Sequence, residues 1–383
     1  MHFTVVCRRV WGINGFGGME RAAEGIARGL AARGHTVEVV TSELPADFPR
    51  AGSLPFGLTL LPPRQRTGIR GLLDYRPFTK AVAAHLPTVQ TDMVIGFYGD
   101  LARTEGLSAP RVTFTYGIEW LVTPGLHGLG LRLLYGPYQR EGMRRAEYLA
   151  TCGAVHLLQM YRQCDFTAEP FQTQNWMRDD SSLQPSRQEA RRALGVPEDA
   201  IVVSTLSRLA PDKMVHVPVE AVRRIRQHAP QVHMLVAGDG PERPRVLAAA
   251  AGDPGIRLLG QVDDATARLV LRASDTSISV ARSQYQMFSV IEPLGLGTPV
   301  ACAYADRMEG IIQDGVTGFV LPKPDVPSVE RAVERLLAMT PEQRRAMEVA
   351  SAAIVGEPYT LAYVTRQFED LARDHQRRRG LRV

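Results

Sequence analysis

The chain has 383 residues, 45% hydrophobic and 22% charged; that balance excludes a disordered polymer, and single cores stop growing near ~250–300 residues, so two domains are expected. The formal net charge of +5 suits anionic partners, but the basic residues are dispersed without a stacking platform, which argues against nucleic acid. No apolar run approaches the ~20 residues of a spanning helix, only Met1 and His2 precede the first strand-like run, and Cys7, Cys152, Cys164 and Cys302 have no paired spacing, so the expectations are no leader, no zinc site, reduced thiols and a cytoplasmic protein.

Along the chain, strand-like apolar runs alternate with amphipathic helical segments, the pattern of parallel sheets with crossover helices. Phe3–Cys7 reads as a strand, Met19–Arg33 as a helix ended by Gly34, and Val37–Thr41 as the next strand. Leu58–Leu61, Met93–Phe97, Arg111–Thr115 and Tyr148–Thr151 are further strands. The segment Arg64–Leu86 carries Arg64, Arg66, Arg70, Arg76 and Lys80 among apolar residues. Gly68, Gly71 and Pro77 interrupt it, so a mobile loop is favoured over a basic membrane-surface helix. A polar stretch at Asp179–Pro185 marks the linker, followed by a helix at Arg187–Leu194.

The pattern then restarts. Strands are expected at Ile201–Leu206, His233–Ala237, Ile256–Leu259, Thr276–Val280, Pro299–Ala303 and Gly318–Val320, with helices at Val217–Gln227 and Glu242–Ala251. The last long helix is Thr360–Arg378. The fold class is α/β, with residues 1–182 completed by 360–383 as one domain and 183–359 as the other. Two such open sheets facing each other would leave a cleft at the carboxyl ends of their strands, where ligands of this architecture bind.

Four motifs carry chemistry. Gly15 to Arg21 follows the first strand, with glycines that allow close backbone approach and a helix whose free amides suit an anion or a sugar hydroxyl. A plain strand-to-helix turn is an equally good reading of that loop alone. Ser207 to Lys213 follows the strand that opens the second domain; two cations on such a loop suit a diphosphate, which Arg208 can bind bidentately and Lys213 as a point charge, the alternative being a solvated loop with ordinary cations. Gly238-Asp239-Gly240-Pro241-Glu242 is a sharp turn into a helix. Finally, a helix beginning near Phe288 or Ser289 would aim its amides at a phosphate, and Glu292, one turn inside, has a carboxylate suited to a vicinal diol.

In this order the motifs resemble the family-4 retaining glycosyltransferases, whose GT-B architecture has two Rossmann-like domains facing across a cleft. Gly17-Gly18-Met19-Glu20 is similar to that family's Gly-Gly-x-Glu loop, and Ser207-Arg208-Leu209 with Lys213 to its phosphate clamp. Gly238 to Glu242, Gly297-Thr298-Pro299-Val300 and Asp314 to Phe319 are similar to its later turns. The resemblance implies that Arg208 and Lys213 bind the donor diphosphate, helped by the amides at Ser289 and Val290 beside Met287 and Phe288. It implies that Glu292 holds the ribose, that Gly260-Gln261-Val262 line the base pocket, and that Gly17 and Gly18 approach the donor. It further implies that the final helix returns to the first domain, and that no metal or other cofactor is required. The sequence departs from the family at Gln284, where a glutamate contacts the donor sugar, at Tyr116, where a histidine is frequent, and at Met214, where a glycine follows the lysine. Trp11, Glu119 and Trp120 are the acceptor-side candidates.

The function expected is a retaining glycosyltransferase moving a sugar from a nucleotide diphosphate sugar, UDP-linked by preference, to a small polar acceptor such as an aminocyclitol or pseudosaccharide of antibiotic biosynthesis. The alternatives are a membrane-surface enzyme acting on a glycolipid or polysaccharide precursor, and a non-catalytic nucleotide-sugar-binding protein. An epimerase is disfavoured because no cluster of carboxylates and histidines is visible.

Overall fold

The computed structural model describes the chain except residues 16, 44–52, 65–70, 72, 116–124, 153–165, 178–184, 282–287, 304–307, 309 and 381–383. Its contacts divide the chain into Met1–Gln174 with Leu361–Val383, and Asn175–Thr360. The polar stretch expected as linker lies, apart from Pro185, outside the described residues.

The first unit is built on a parallel sheet of seven described strands: β1 (His2–Val6), β2 (Thr36–Ser42), β3 (Gly57–Leu61), β4 (Met93–Phe97), β5 (Arg111–Phe114), β6 (Tyr148–Thr151) and β7 (Glu169–Gln172). Their order is β3-β2-β1-β4-β5-β6-β7. β4 is buried at every position because neighbouring strands and layers cover both faces, which is why it reads as a continuous apolar run. The first helix, Gly18–Ala32, buries Ala22, Ala23, Ile26, Ala27 and Leu30 at helical spacing. The terminal helix Leu361–Arg378 packs on it. Gly29 makes that approach possible, since a Cβ there would lie 2.5 Å from Thr365 Cγ2. Arg33 Nε donates to Glu369 Oε2 at 2.8 Å on the same seam.

Two expectations for this unit are revised. The segment Arg64–Leu86, expected as a loop, contains a helix at Tyr75–His85. Pro77 is tolerated because it occupies the first turn, where an N–H has no helical partner, and Phe78 and Val82 anchor the helix one turn apart. Arg66 and Arg70 lie outside the described residues. The strand β7 was not expected: its sequence EPFQ has no apolar alternation, and it joins the sheet as an edge strand through backbone pairing with β6.

The second unit carries a parallel sheet of six described strands: β8 (Ile201–Leu206), β9 (Val232–Ala237), β10 (Ile256–Gly260), β11 (Thr276–Ser279), β12 (Val300–Ala303) and β13 (Gly318–Leu321). The order is β10-β9-β8-β11-β12-β13. Val203, Met234, Val236, Ile278 and Ala301 project into a core closed by Val219, Val222 and Ile225 of the helix His216–Arg226. In both sheets the chain winds one way from the central strand and then the other. The strand order reverses between β1 and β4 in the first and between β8 and β11 in the second.

Candidate functional site

At the reversal of the second sheet, adjacent strands send their following loops in opposite directions and leave a crevice at their carboxyl ends. The loop after β8 is shaped by its neighbour after β9. Ser207 N–H donates to Ala237 O at 3.0 Å, Leu209 N–H to Asp239 O at 2.9 Å, and Glu242 N–H to Leu209 O at 2.8 Å. Glycine is required for this contact: a Cβ on Gly238 would lie 1.9 Å from Ser207 O, and one on Gly240 2.5 Å from Leu209 O, with φ of 143° and 154°. The two turns that the sequence presents as separate motifs are one interlocked structure.

Arg208 stands exposed at this edge and makes no ion pair among the described residues. Lys213 is half-buried, with Nζ 3.3 Å from Asp212 Oδ2. The residue after it, Met214, has φ of 49°, the left-handed conformation in which glycine is the unstrained residue. The structure thus keeps the backbone shape that the resemblance associates with glycine while carrying a thioether side chain, which packs against the core of the second unit.

The helix Phe288–Gly295 follows β11. Val290, Ile291 and Leu294 are buried against Val300, Cys302, Met308, Ile311 and Ile312, which pins one face. Phe288 meets the Trp176 ring edge-on at 5.5 Å. Ser289 and Glu292, three residues apart and so on one face, are only half-buried. Ser289 Oγ lies 3.5 Å from Ser279 Oγ, which holds the start of the helix at the carboxyl end of β11. Pro293 inside the helix and Gly297, at φ of 75°, terminate it within two turns.

Gly260 ends β10 with φ of 69° and accepts a hydrogen bond from Gly238 N–H at 2.7 Å. Gln261 beside it is exposed and Val262 half-buried. Of the remaining sequence candidates, Tyr116, Glu119, Trp120, Gln284 and Met287 lie outside the described residues.

In the first unit, the loop after β1 is a compact polar structure. Asn14 Oδ1 accepts Val10 N–H at 2.7 Å, and its Nδ2 donates to Ser42 O at 2.8 Å and Thr41 Oγ1 at 2.9 Å. Trp11 N–H donates to Glu20 O at 3.1 Å, and the Arg21 guanidinium covers the Trp11 ring at 4.3 Å. Gly17 is the N-cap of the first helix. The Glu20 carboxylate folds back against it, so that a Gly17 Cβ would lie 2.4 Å from Glu20 Oε2. A negative charge therefore sits beside the first-turn amides of this helix.

The sequence reading did not single out Arg8 and Asp100. Arg8 follows β1 and Asp100 follows β4, on the two strands between which the first sheet reverses. Asp100 is buried, and desolvation pushes its carboxyl up to about 7, opposed by the Arg8 amide and guanidinium. The Arg8 guanidinium lies over the Tyr75 ring at 4.1 Å. A charged residue just past a fully apolar strand is the one signal that could have marked Asp100.

Among the described residues no cluster of histidine, cysteine, aspartate and glutamate could hold a metal ion, and no helix is long and apolar enough to cross a membrane. Among the described residues Cys7, Cys152 and Cys302 form no disulfide and are buried.

Comparison with known proteins gives a consistent fold and a partial sequence match. Residues 200–339 match the family described as Glycosyl transferases group 1. The chain is 24% identical to an alpha-D-kanosaminyltransferase of Streptomyces kanamyceticus over 198 residues, 51% of each protein. It is 31% identical to a D-inositol 3-phosphate glycosyltransferase of Geodermatophilus obscurus over 164 residues, 40% of this chain and 36% of that protein. The chain thus spans about half, or less, of the length of these relatives. A sucrose-phosphate synthase of Thermosynechococcus elongatus superposes with a TM-score of 0.81 at 16% identity, covering 98% of both chains. An Anabaena protein, HepE, in complex with UDP-glucose superposes at 0.76 with 17% identity, covering 98% of this chain and 100% of that one. The fold is GT-B.

Proposed function

We propose, from the match of residues 200–339 to the Glycosyl transferases group 1 family and the GT-B fold of the chain, that this protein transfers a sugar from a nucleotide diphosphate sugar to a small polar acceptor with retention of configuration. One observation carries the reading. On the carboxyl side of the adjacent strands β8 and β11 stand two cations, Arg208 and Lys213, and the start of a helix whose half-buried face offers Ser289 and Glu292.

That set matches the parts of a leaving nucleoside diphosphate. The Arg208 fork and the Lys213 ammonium neutralise the charge that grows on the diphosphate as the sugar departs, and the amides at Ser289 and Val290 assist. The Glu292 carboxylate accepts two hydrogen bonds from the ribose diol. Gly260, Gln261 and Val262 line the base. In this reading the cations and amides do the neutralising that a metal does elsewhere, and no metal takes part. In the first unit Gly17 and Gly18 approach the donor sugar rather than its diphosphate, because the Glu20 carboxylate beside them repels an anion and accepts a hydroxyl. Tyr116 and Gln284 are assigned to the sugar, and Trp11, Glu119 and Trp120 to the acceptor.

A UDP-sugar is the preferred donor, supported by the UDP-glucose complex of the Anabaena neighbour. An aminocyclitol-type acceptor belongs to the same reading; the kanosaminyltransferase relative is named for the amino sugar that it transfers. Buried free thiols suit a cytoplasmic enzyme. The test is titration of the protein with UDP-, GDP- and dTDP-sugars, with release of the nucleotide followed in parallel. Binding that is lost in Lys213→Ala and Glu292→Ala supports the assignment; no binding to any of the three donors removes it.

A second reading, a lipid-linked acceptor at a membrane surface, draws on Leu129 and Leu133, exposed at 51% and 66% on either side of Arg132. Co-sedimentation with anionic vesicles that vanishes in moderate salt would favour it.

A further inference from the structure

Arg243 and Asp239 are not among the residues proposed above for the diphosphate or the ribose, yet they stand beside Gly260. Arg243 opens the helix Arg243–Ala250, and its N–H donates to Gly240 O at 3.0 Å. Its Nη1 lies 3.8 Å from the position a Cβ of Gly260 would take, and among the described residues, the two chain neighbours of Gly260 aside, no other atom comes within 4 Å of that position. The absent side chain of Gly260 therefore leaves an open space that the guanidinium borders. The Asp239 carboxylate is 3.6 Å from the same Arg243 Nη1, and its Oδ1 accepts the Gly240 N–H at 2.7 Å. The hydrogen bond from Gly238 N–H to Gly260 O fixes this turn against the end of β10.

The pair is not needed by the fold. Its members are 42% and 47% exposed, and ion pairs so placed contribute little to stability. What the pair offers is a fixed donor beside a fixed acceptor at the rim of the space over Gly260. A guanidinium only donates and a carboxylate only accepts.

We propose that Asp239 and Arg243 read the edge of the nucleobase, selecting keto bases over amino bases; the inference rests on the nucleotide-sugar reading above. Uracil presents a carbonyl oxygen next to a ring N–H, and guanine does the same. Arg243 donates to the carbonyl and Asp239 accepts from the N–H. Adenine and cytosine present an amino group next to a bare ring nitrogen. Against them the guanidinium meets a donor and the carboxylate meets a lone pair, so each charged group loses its partner.

The experiment measures the affinities of UDP, GDP, ADP and CDP by calorimetry for the wild type, Arg243→Ala and Asp239→Asn. Expected for the wild type is binding of UDP and GDP at least about tenfold tighter than ADP and CDP. Each variant should bring the ratio toward one by weakening the keto bases, with melting temperatures unchanged. Variants that keep the wild-type ratio, or a wild type that prefers ADP or CDP, overturn the base-reading role alone. A wild type that binds none of the four overturns the donor reading beneath it.

Discussion

The main-chain N–H of Arg8 donates to Asp100 Oδ2 at 3.0 Å, tying the end of β1 to the end of β4 where the strand order of the first sheet reverses. Among the described residues the other carboxylate oxygen, Oδ1, is buried without a hydrogen-bond partner, as is Arg8 Nε. The carboxylate is thus half-satisfied, and its ionised form carries the desolvation cost.

A pH dependence follows. Asp100 has its carboxyl raised from 3.8 to about 7 by burial. Between those values the folded protein holds a proton that the unfolded chain has released, so stability falls as pH rises. The contribution is complete below about pH 4 and lost by about pH 7. The displacement corresponds to on the order of 4 kcal/mol as an upper figure. Asp100→Asn keeps an acceptor for the Arg8 N–H and removes the charge. Urea unfolding should show the variant more stable than wild type near pH 8 by about 1–3 kcal/mol, with a flatter profile down to pH 5. Equal stabilities at pH 8 would contradict this.

Arg208 and Lys213 should separate activity from stability. Replacing either by alanine is expected to lower the transfer rate by about 10²–10³-fold, as for loss of one charge-stabilising donor. Arg208 is exposed and unpaired among the described residues, so Arg208→Ala should melt with the wild type. A rate loss matched by an equal drop in melting temperature would point to a structural role instead.

The interlocked turns after β8 and β9 give a backbone prediction. Gly238→Ala would force a Cβ to 1.9 Å from Ser207 O. Because that neighbour is backbone, relief requires moving the loop that carries Arg208. A loss of about 2–4 kcal/mol is expected by urea denaturation, with nucleotide affinity falling in parallel. Gly34, at φ of 84° and, among the described residues, with no atom beyond its chain neighbours within 4 Å of its would-be Cβ, is the control. Gly34→Ala should cost only about 1 kcal/mol of conformational strain.

Ala251 closes the helix Arg243–Ala250 in the left-handed conformation, φ 49° and ψ 32°. It is exposed, so its methyl buries nothing. Ala251→Gly should therefore stabilise the protein by about 0.5–1 kcal/mol, seen as a rise in the denaturation midpoint. A fall would show that unfolded-chain entropy outweighs the strain.

Much of this architecture is legible one segment at a time. Runs such as Met93–Phe97 and Ile201–Leu206 read as buried strands because their apolar side chains are consecutive, and the structure has strands at those residues. The glycine turns read as turns because φ beyond the reach of other residues is a local property. Among the elements that escaped, Pro77 disguised the start of the helix Tyr75–His85, and EPFQ at β7 lacks apolar alternation.

By itself, then, the sequence determined two parallel α/β sheets, the strand-end loops, and the identity of the cations and the acid offered there. All of these follow from residue type and short-range spacing. The tertiary structure alone decided which loops touch: that Gly238 lies on Ser207, that Arg243 borders Gly260, and that Asp100 answers an amide 92 residues away at Arg8. Polar side chains carry no periodic signal, and their partners are fixed only when strand order brings distant ends side by side.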